Sequence, residues 1–276
     1  MLFNIIVGFA LATSAIAAPF TTSGLNSTKW TPDHILQPDE VILYGEDRSE
    51  CPVIKRPTNE LTDRASFTVE IVHESVYHAL LASQAISLDV PEVDDTPHSI
   101  SNSGRNETNL NARADCGYTT AVVTDRSQTF IDWDVQMSPV VIGTGAGMDV
   151  YVSSGYSVSN GISVSAGLDW TAIKDKLGLS VGIDYSRTWT TQTVINIKGT
   201  VPNGYSGVMI TKPIKTRRFG RLLTGCLGHQ TQKGTFSADS YQEGAYAGVK
   251  WVSGAITMCT KKQFPLSRCN GLGNFV

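Results

Sequence analysis

A strict alternation of apolar and small polar residues over residues 157–190 is the feature that most constrains how this chain can fold. From Ser157 to Trp170 the even positions are apolar except for Asn160, whereas the odd positions carry only Ser, Gly and Asp. The alternation resumes at Leu177 after a charged interruption. Because successive side chains of a β-strand point to opposite faces, this period of two predicts a hairpin of two strands, each with one apolar face.

The two runs match each other in one register. With Trp170 placed opposite Leu177, Asn160 faces Arg187, and these two are the polar exceptions on the apolar face. A strand of roughly 14 residues spans about 46 Å and, tilted by about 45°, fits a hydrocarbon layer about 30 Å thick. This pattern is typical of a strand of a transmembrane barrel with a wet lumen. A long hairpin of a soluble β-sandwich alternates in the same way, and from the pattern alone the sandwich is preferred.

The sequence after the hairpin adds a resemblance. A run of β-type residues, TQTVINI at 191–197, is followed by a proline-containing turn, VPNGY at 201–205. Together with the Ser/Thr/Gly-rich hairpin, residues 151–210 resemble the aerolysin-like β-pore-forming proteins, in which a stem hairpin belongs to a long-stranded sheet domain. The resemblance implies that residues 157–190 insert into a membrane. It places toward the lumen Ser159, Ser163, Ser165, Ser180, Ser186 and Thr188. It places toward lipid Ile162, Val164, Leu168, Leu179, Val181 and Ile183.

The N-terminus predicts a secretory signal peptide over residues 1–17. An apolar run is followed by Ala15-Ile16-Ala17, the small-x-small pattern of a cleavage site. A membrane anchor needs about 18 apolar residues in a row, and this run is interrupted at residues 13–14. Asn26 and Asn106 begin glycosylation sequons, which can be used only on a secretory route. We therefore expect a secreted, extracellular protein.

Charge divides the chain into two regions. Residues 1–114 hold 7 Lys+Arg against 15 Asp+Glu, whereas residues 115–276 hold 15 against 10. We expect an acidic N-terminal region over 18–114 and a β-rich domain over 115–276, and removal of the acidic region as a pro-segment is one hypothesis. The spacing of Val69, Val72, Val76 and Leu80 predicts one amphipathic helix over residues 66–86. The fold class is thus mainly β, a long-stranded antiparallel sheet or sandwich with an acidic helical region that covers its apolar surface.

The five cysteines leave one unpaired in an oxidising compartment. If the pro-segment is removed, Cys51 leaves with it. Parity then favours two disulfides, most simply Cys116–Cys226 and Cys259–Cys269, although four cysteines allow three pairings. No Cys/His spacing suggests zinc, and we expect neither a metal nor a cofactor.

No motif supports an enzyme. His73 and His78 are five apart where the zinc protease motif needs four, and residues 155–159 lack the closing glycine of a nucleophile elbow. Asp132 and Asp134 would share one strand face, where paired carboxylates can do acid/base work. Without a third partner, we predict a solvated strand face.

One basic cluster remains. It consists of Lys212, Lys215, Arg217, Arg218 and Arg221. A solvated loop is the simpler interpretation, and attraction to anionic lipid head groups or glycans is the more specific one. Nucleic acid is not an expected partner of a secreted chain with a net charge of -3.

Two functions follow as hypotheses. The first is a secreted pore-forming or membrane-perturbing, toxin-like protein that forms a homo-oligomer and inserts the hairpin. The second is a non-catalytic secreted β-sandwich that binds a glycan or a host protein through exposed aromatic residues and the basic cluster.

Overall fold

The fold is mainly β, as predicted from the sequence. The computed structural model describes residues 20–21, 26–47, 66–91, 118–165, 167–168, 170–192, 196–226, 229–246 and 249–276. The helices among these residues are α1 (Glu74–Ser83) and α2 (Trp170–Val181). The strands are β1 (Phe20–Thr21), β2 (Thr28–Lys29), β3 (Ile35–Leu36), β4 (Glu40–Asp47), β5 (Ser66–His73), β6 (Tyr118–Ile131), β7 (Val135–Gln136), β8 (Val141–Ile142), β9 (Met148–Tyr151), β10 (Ser157–Ser159), β11 (Gly161–Val164), β12 (Thr188–Thr190), β13 (Lys198–Val201), β14 (Ser206–Cys226), β15 (His229–Tyr241), β16 (Glu243–Tyr246), β17 (Val249–Val252) and β18 (Gly254–Lys261).

Strand β14 connects the two ends of the main sheet. Its 21 residues extend over about 70 Å. Residues 206–213 pair with β18, which continues the sheet through β4 and β5 to β2. Residues 214–226 pair with β6 on one edge, and residues 215–226 pair with β15 and then β11 on the other. We call the part built on residues 206–213 the lower half-sheet and the part built on residues 214–226 the upper half-sheet.

The lower half-sheet has a core on each face. On one face, Leu36, Met209 and Trp251 belong to a large buried cluster that includes residues of β9, β12 and β13. On the other face, Val72 of β5 packs with α1. Apolar side chains on both faces of these strands are therefore buried.

The predicted amphipathic helix is only partly correct. Residues 66–73 form β5, which pairs antiparallel with β4, and the helix begins at Glu74. His73 caps it, because the imidazole Nδ1 accepts a hydrogen bond from the Ser75 amide at 3.2 Å. The β-branched residues of β5 also alternate with polar ones, so a pattern of apolar spacing alone did not locate this boundary.

Helix α1 packs on the β-rich region, as expected from its apolar stripe. Tyr77 and Leu81 belong to one buried cluster with Ile131, Ile214 and Ala255. At the start of the helix Glu74 forms an ion pair with Lys212 of β14. The acidic region therefore contributes strands, a helix and counter-charges to the main sheet. Whether it is removed stays a prediction.

The Cys259–Cys269 disulfide is confirmed, with an S–S distance of 1.98 Å. Cys226 is disulfide-bonded too, but Cys51 and Cys116 lie outside the described residues, so its pairing with Cys116 stays a prediction. The signal peptide and Asn106 also lie outside them, whereas Asn26 is exposed. In the part of the chain that is described, no helix has the length and apolarity to span a bilayer.

We predict that Leu81→Ala lowers the free energy of unfolding by about 2–5 kcal/mol, because it leaves a cavity where a fully buried leucine joins α1 to the sheet. Urea denaturation measures this change. Leu88→Ala is the control, since Leu88 is exposed and its truncation should be nearly neutral. Equal effects of the two substitutions would contradict the packing of α1.

Candidate insertion segment

Residues 157–190 begin and end as the predicted hairpin. Strand β10 pairs antiparallel with β12, with Ser157 opposite Thr190 and Ser159 opposite Thr188. The ladder extends one step further, because the Asn160 amide donates to the Arg187 carbonyl at 3.0 Å. The predicted register is therefore confirmed at the base of the segment.

Beyond Asn160 the two strands separate. Strand β11 leaves the hairpin and pairs with the edge of β15, placing Ile162 opposite Ala238 and Val164 opposite Phe236. The chain then forms α2 and returns to β12. We refer to residues 161–187, which lie between the two strands of the ladder, as the excursion.

The strand predicted to begin at Leu177 is wrong over residues 177–181, which are helical. Leu177 and Val181 take part in two periodicities. They alternate with Leu179 at a period of two, and they also follow Ile173 at intervals of four, the spacing of one helix face. In the folded protein the helical spacing is used, because Ile173 and Leu177 are fully buried.

Two glycines limit helix α2. Gly182 follows its last residue with a φ of 68°, a conformation that ends helices and that glycine adopts without steric cost. Gly178 lies inside the helix, where glycine is less favourable than alanine by about 1 kcal/mol. A helix of 12 residues with an internal glycine depends on its packing for stability.

The apolar side chains of the excursion rest on the upper half-sheet. Five of the six predicted lipid-facing side chains pack against a buried cluster that contains Leu222, Phe236 and Ala238. These five are Ile162, Val164, Leu168, Val181 and Ile183. The sixth, Leu179, is 88% exposed, because it lies on the opposite side of α2 from Leu177.

The small polar side chains face water. All six residues predicted to face a lumen are exposed, namely Ser159, Ser163, Ser165, Ser180, Ser186 and Thr188. The separation into an apolar and a polar face therefore exists in the folded protein, apart from Leu179. The roles of these residues in a membrane stay predictions.

Asn160 occupies the point where the strands separate. It is 7% exposed, and its side chain makes two hydrogen bonds to backbone groups. The amide Nδ2 donates to the Asp184 carbonyl at 2.8 Å, and Oδ1 accepts from the Tyr241 amide at 2.8 Å. One residue thus joins the return of the excursion to the end of β15.

The basic cluster lies on central strand β14, so the predicted loop is wrong. Lys215 pairs with Asp132 at 2.6 Å and Asp239 at 3.3 Å, and Arg217 makes two hydrogen bonds to Asp239 at 2.7 and 2.8 Å. These acidic residues come from distant positions in the sequence, which is why the sequence did not reveal the pairing. A role in lipid or glycan contact stays a prediction.

Lys212 pairs with Glu74, and the other two members, Arg221 and Arg218, differ from each other. Arg221 pairs with Asp125 at 2.9 Å. Arg218 is 9% exposed and donates from Nη1 to Ser240 Oγ at 3.1 Å, with no carboxylate within 4 Å among the described residues. Arg218 is opposite Ala238, which is opposite Ile162, so its side chain lies on the face that the excursion covers.

Tyr185, in the return of the excursion, is also buried on this face. Burial raises the pKa of its hydroxyl, and the positive charge of Arg218 counteracts part of that shift. The hydroxyl lies within reach of the Arg218 guanidinium, but the geometry falls outside that of an ordinary hydrogen bond. The covered face therefore contains polar groups that are poorly satisfied.

Asp132 and Asp134 do not form the predicted solvated strand face. Asp132 accepts a hydrogen bond from the Tyr241 hydroxyl at 2.6 Å. Asp134 is 1% exposed, and its Oδ2 accepts from the Asn270 amide at 2.6 Å while Oδ1 has no partner among the described residues. Its carboxylate lies near the sulfurs of Cys259 and Cys269, but these are bonded to each other and offer no thiolate to a metal.

Burial raises the pKa of Asp134 above its ordinary value of 3.8, against the hydrogen bond from Asn270. Between the unfolded and the folded pKa of Asp134, the folded protein therefore retains a proton that the unfolded chain has lost. This contribution to stability is complete below pH 3.8 and decreases as the pH rises through the folded pKa, by at most about 1.4 kcal/mol per pH unit.

We predict that Asp134→Asn removes this part of the pH dependence, because the amide is neutral at every pH and retains an acceptor for the Asn270 amide. Urea denaturation of both proteins from about pH 4 to about pH 8 measures the slopes. Asp175→Asn, at an exposed position of α2, should leave the slope unchanged. Parallel curves for wild type and Asp134→Asn would show that this carboxyl has no raised pKa.

Comparison with known proteins gives no relative. No protein-family model, no curated protein and no solved structure matches the chain. Its function therefore has to be inferred from its own residues.

Proposed function

We propose that this chain is a secreted, toxin-like pore-forming protein that oligomerises on a membrane and inserts residues 157–190 as a β-hairpin. The observation that carries the proposal is the conformation of the excursion and of the strand ladder at its base. The base of the hairpin is already formed in the predicted register, while the remaining residues are folded so that their apolar face rests on the sheet. The resemblance to aerolysin-like proteins and the long-stranded sheet support the same function.

The alternation allows one sequence to serve two environments. In water the apolar face is buried on protein, and burial of apolar area contributes roughly 25 cal/mol per Å². In a bilayer the same face meets lipid, while Ser, Thr and Gly meet water. Insertion thus exchanges one apolar contact for another.

The change of conformation has a defined starting point. The ladder of β10 and β12 can extend upward from Asn160 and Arg187 without a change of register. It requires the loss of four residue pairs between β11 and β15 and the unfolding of α2. Both are short elements, so the rearrangement removes one short edge strand and leaves the pairing of β14 with β6, β15 and β18 in place.

Assembly of several copies follows from the chemistry of lipid. A single hairpin leaves unpaired backbone groups along both of its edges, and each costs several kcal/mol in hydrocarbon. Hairpins from neighbouring copies satisfy these groups when they form a closed sheet. The proposed partners are therefore membrane lipid and further copies of the chain, with no cofactor.

The first test of this function uses an engineered disulfide that locks the excursion to the sheet. Ser163 and Ser237 are opposite each other on β11 and β15, so Ser163→Cys with Ser237→Cys should form a disulfide that prevents release. Dye release from lipid vesicles should be abolished in the oxidised double variant and restored by a dithiol reductant.

The matched control is Ser157→Cys with Thr190→Cys. These residues are opposite each other in the ladder that is common to both conformations, so this disulfide should leave dye release unchanged. Release by the oxidised Ser163–Ser237 variant at the wild-type rate would show that the excursion does not need to leave the sheet.

The second prediction uses Leu179, which is exposed in the folded protein but faces lipid in the extended hairpin. Leu179→Lys should therefore leave folding unchanged and oppose insertion. The expected cost is about 1–2 kcal/mol per hairpin, since Leu179 lies between the bilayer midplane and the far interface. Dye release and thermal denaturation measure the two effects.

Ser180→Lys is the control for this substitution. Ser180 is the next residue, is exposed in the folded protein and faces the lumen in the extended hairpin. It should release dye almost as well as wild type and favour anions in conductance recordings. Equal loss of activity in both variants would argue against the assignment of faces.

A binding module is the second candidate, because the large aromatic side chains of Trp133 and Tyr151 are exposed. Such surfaces suit a glycan or a host protein. This function requires no oligomer and predicts no dye release from any vesicle, with or without the engineered disulfides.

A further inference from the structure

Two buried polar side chains lie where the excursion meets the upper half-sheet, and neither belongs to its apolar cluster. Asn160 is at the point where the ladder divides, and Arg218 lies on the covered face of β14, in the same cross-strand row as Ile162 of β11. We propose that Asn160 holds the excursion on the sheet and that Arg218 favours its release. This inference rests on the proposed insertion of residues 157–190.

The hydrogen bond from the Asn160 side chain to the Asp184 carbonyl exists only while the excursion is docked. In the extended register Asp184 is opposite Ser163, three residues above Asn160, or about 10 Å along the strand. Nδ2 of Asn160 then cannot reach the Asp184 carbonyl. The bond from the Tyr241 amide holds residue 160 beside the end of β15, directly before the excursion begins. Asn160 therefore stabilises the docked conformation over the extended one.

Arg218 has the opposite effect. A buried guanidinium without a counter-ion loses its hydration, and two neutral hydroxyls, those of Ser240 and Tyr185, replace only part of it. Lys212, Lys215, Arg217 and Arg221 each have an acidic partner, so the missing carboxylate distinguishes Arg218 within its own strand.

The excursion itself provides the cover over Arg218. Ile162 lies in the same cross-strand row, and Tyr185 contributes a buried ring whose hydroxyl feels the arginine charge. When residues 161–187 lift, Tyr185 leaves with them and the guanidinium regains water. The docked state is thus held by apolar packing and Asn160 and opposed by Arg218.

Hydrogen exchange of the full chain in water tests this directly. Asn160→Ala should raise the exchange of the β11 and α2 amides by about tenfold or more, the size expected for loss of buried hydrogen bonds. Arg218→Met removes the charge and keeps the length, so it should lower the same exchange by a similar factor. Ser159→Ala and Arg221→Met are the controls, at an exposed position and at a paired arginine, and should change the exchange little.

Dye release from vesicles of phosphatidylcholine and phosphatidylserine separates this inference from the proposed function. If Asn160→Ala releases dye faster and Arg218→Met more slowly than wild type, both stand. If the two variants change hydrogen exchange in opposite directions but no variant releases dye, the roles of Asn160 and Arg218 in docking stand and the proposed pore formation fails. If dye is released but the two variants change exchange in the same direction, or not at all, the inference is overturned. Should Arg218→Met fail to fold, Arg218→Gln replaces it under the same criteria.

Discussion

The pairing of β14 along both of its edges is the interaction on which the rest of the structure depends. Through its first part the strand joins β18 and the acidic region, and through its second part it joins β6 and β15. Both cores of the lower half-sheet and the surface beneath the excursion are built on this strand. Its basic residues also form ion pairs with acidic side chains of β15 and of the segment that follows β6.

The faces of the lower and the upper half-sheet are therefore covered in different ways. The lower half-sheet is covered on both faces by apolar clusters, as in a conventional sandwich. The upper half-sheet carries ion pairs on one face and the excursion on the other. Lifting the excursion would therefore uncover one face of the upper half-sheet and leave both cores of the lower half-sheet closed.

The sequence predicted local features well and long-range contacts poorly. The mainly β fold, the register at the base of the hairpin and the Cys259–Cys269 disulfide follow from periodicity and parity. The helical state of residues 177–181 did not, because Leu177 and Val181 satisfy a period of two and a spacing of four equally well. The burial of Arg218 was also missed, since it depends on residues distant in the sequence, such as Tyr185 and Ser240.

The alternation over residues 177–190 is more extensive than the folded protein needs. A soluble hairpin would satisfy its backbone groups by extending the ladder past Asn160, yet the chain leaves it for an edge strand and a helix that contains Gly178. In that helix Leu179 is 88% exposed, which gains nothing in water. The same residue completes the apolar face of the extended hairpin opposite Leu168. In the proposed extended hairpin this side chain would meet lipid and not water, so a substitution at Leu179 distinguishes the two conformations.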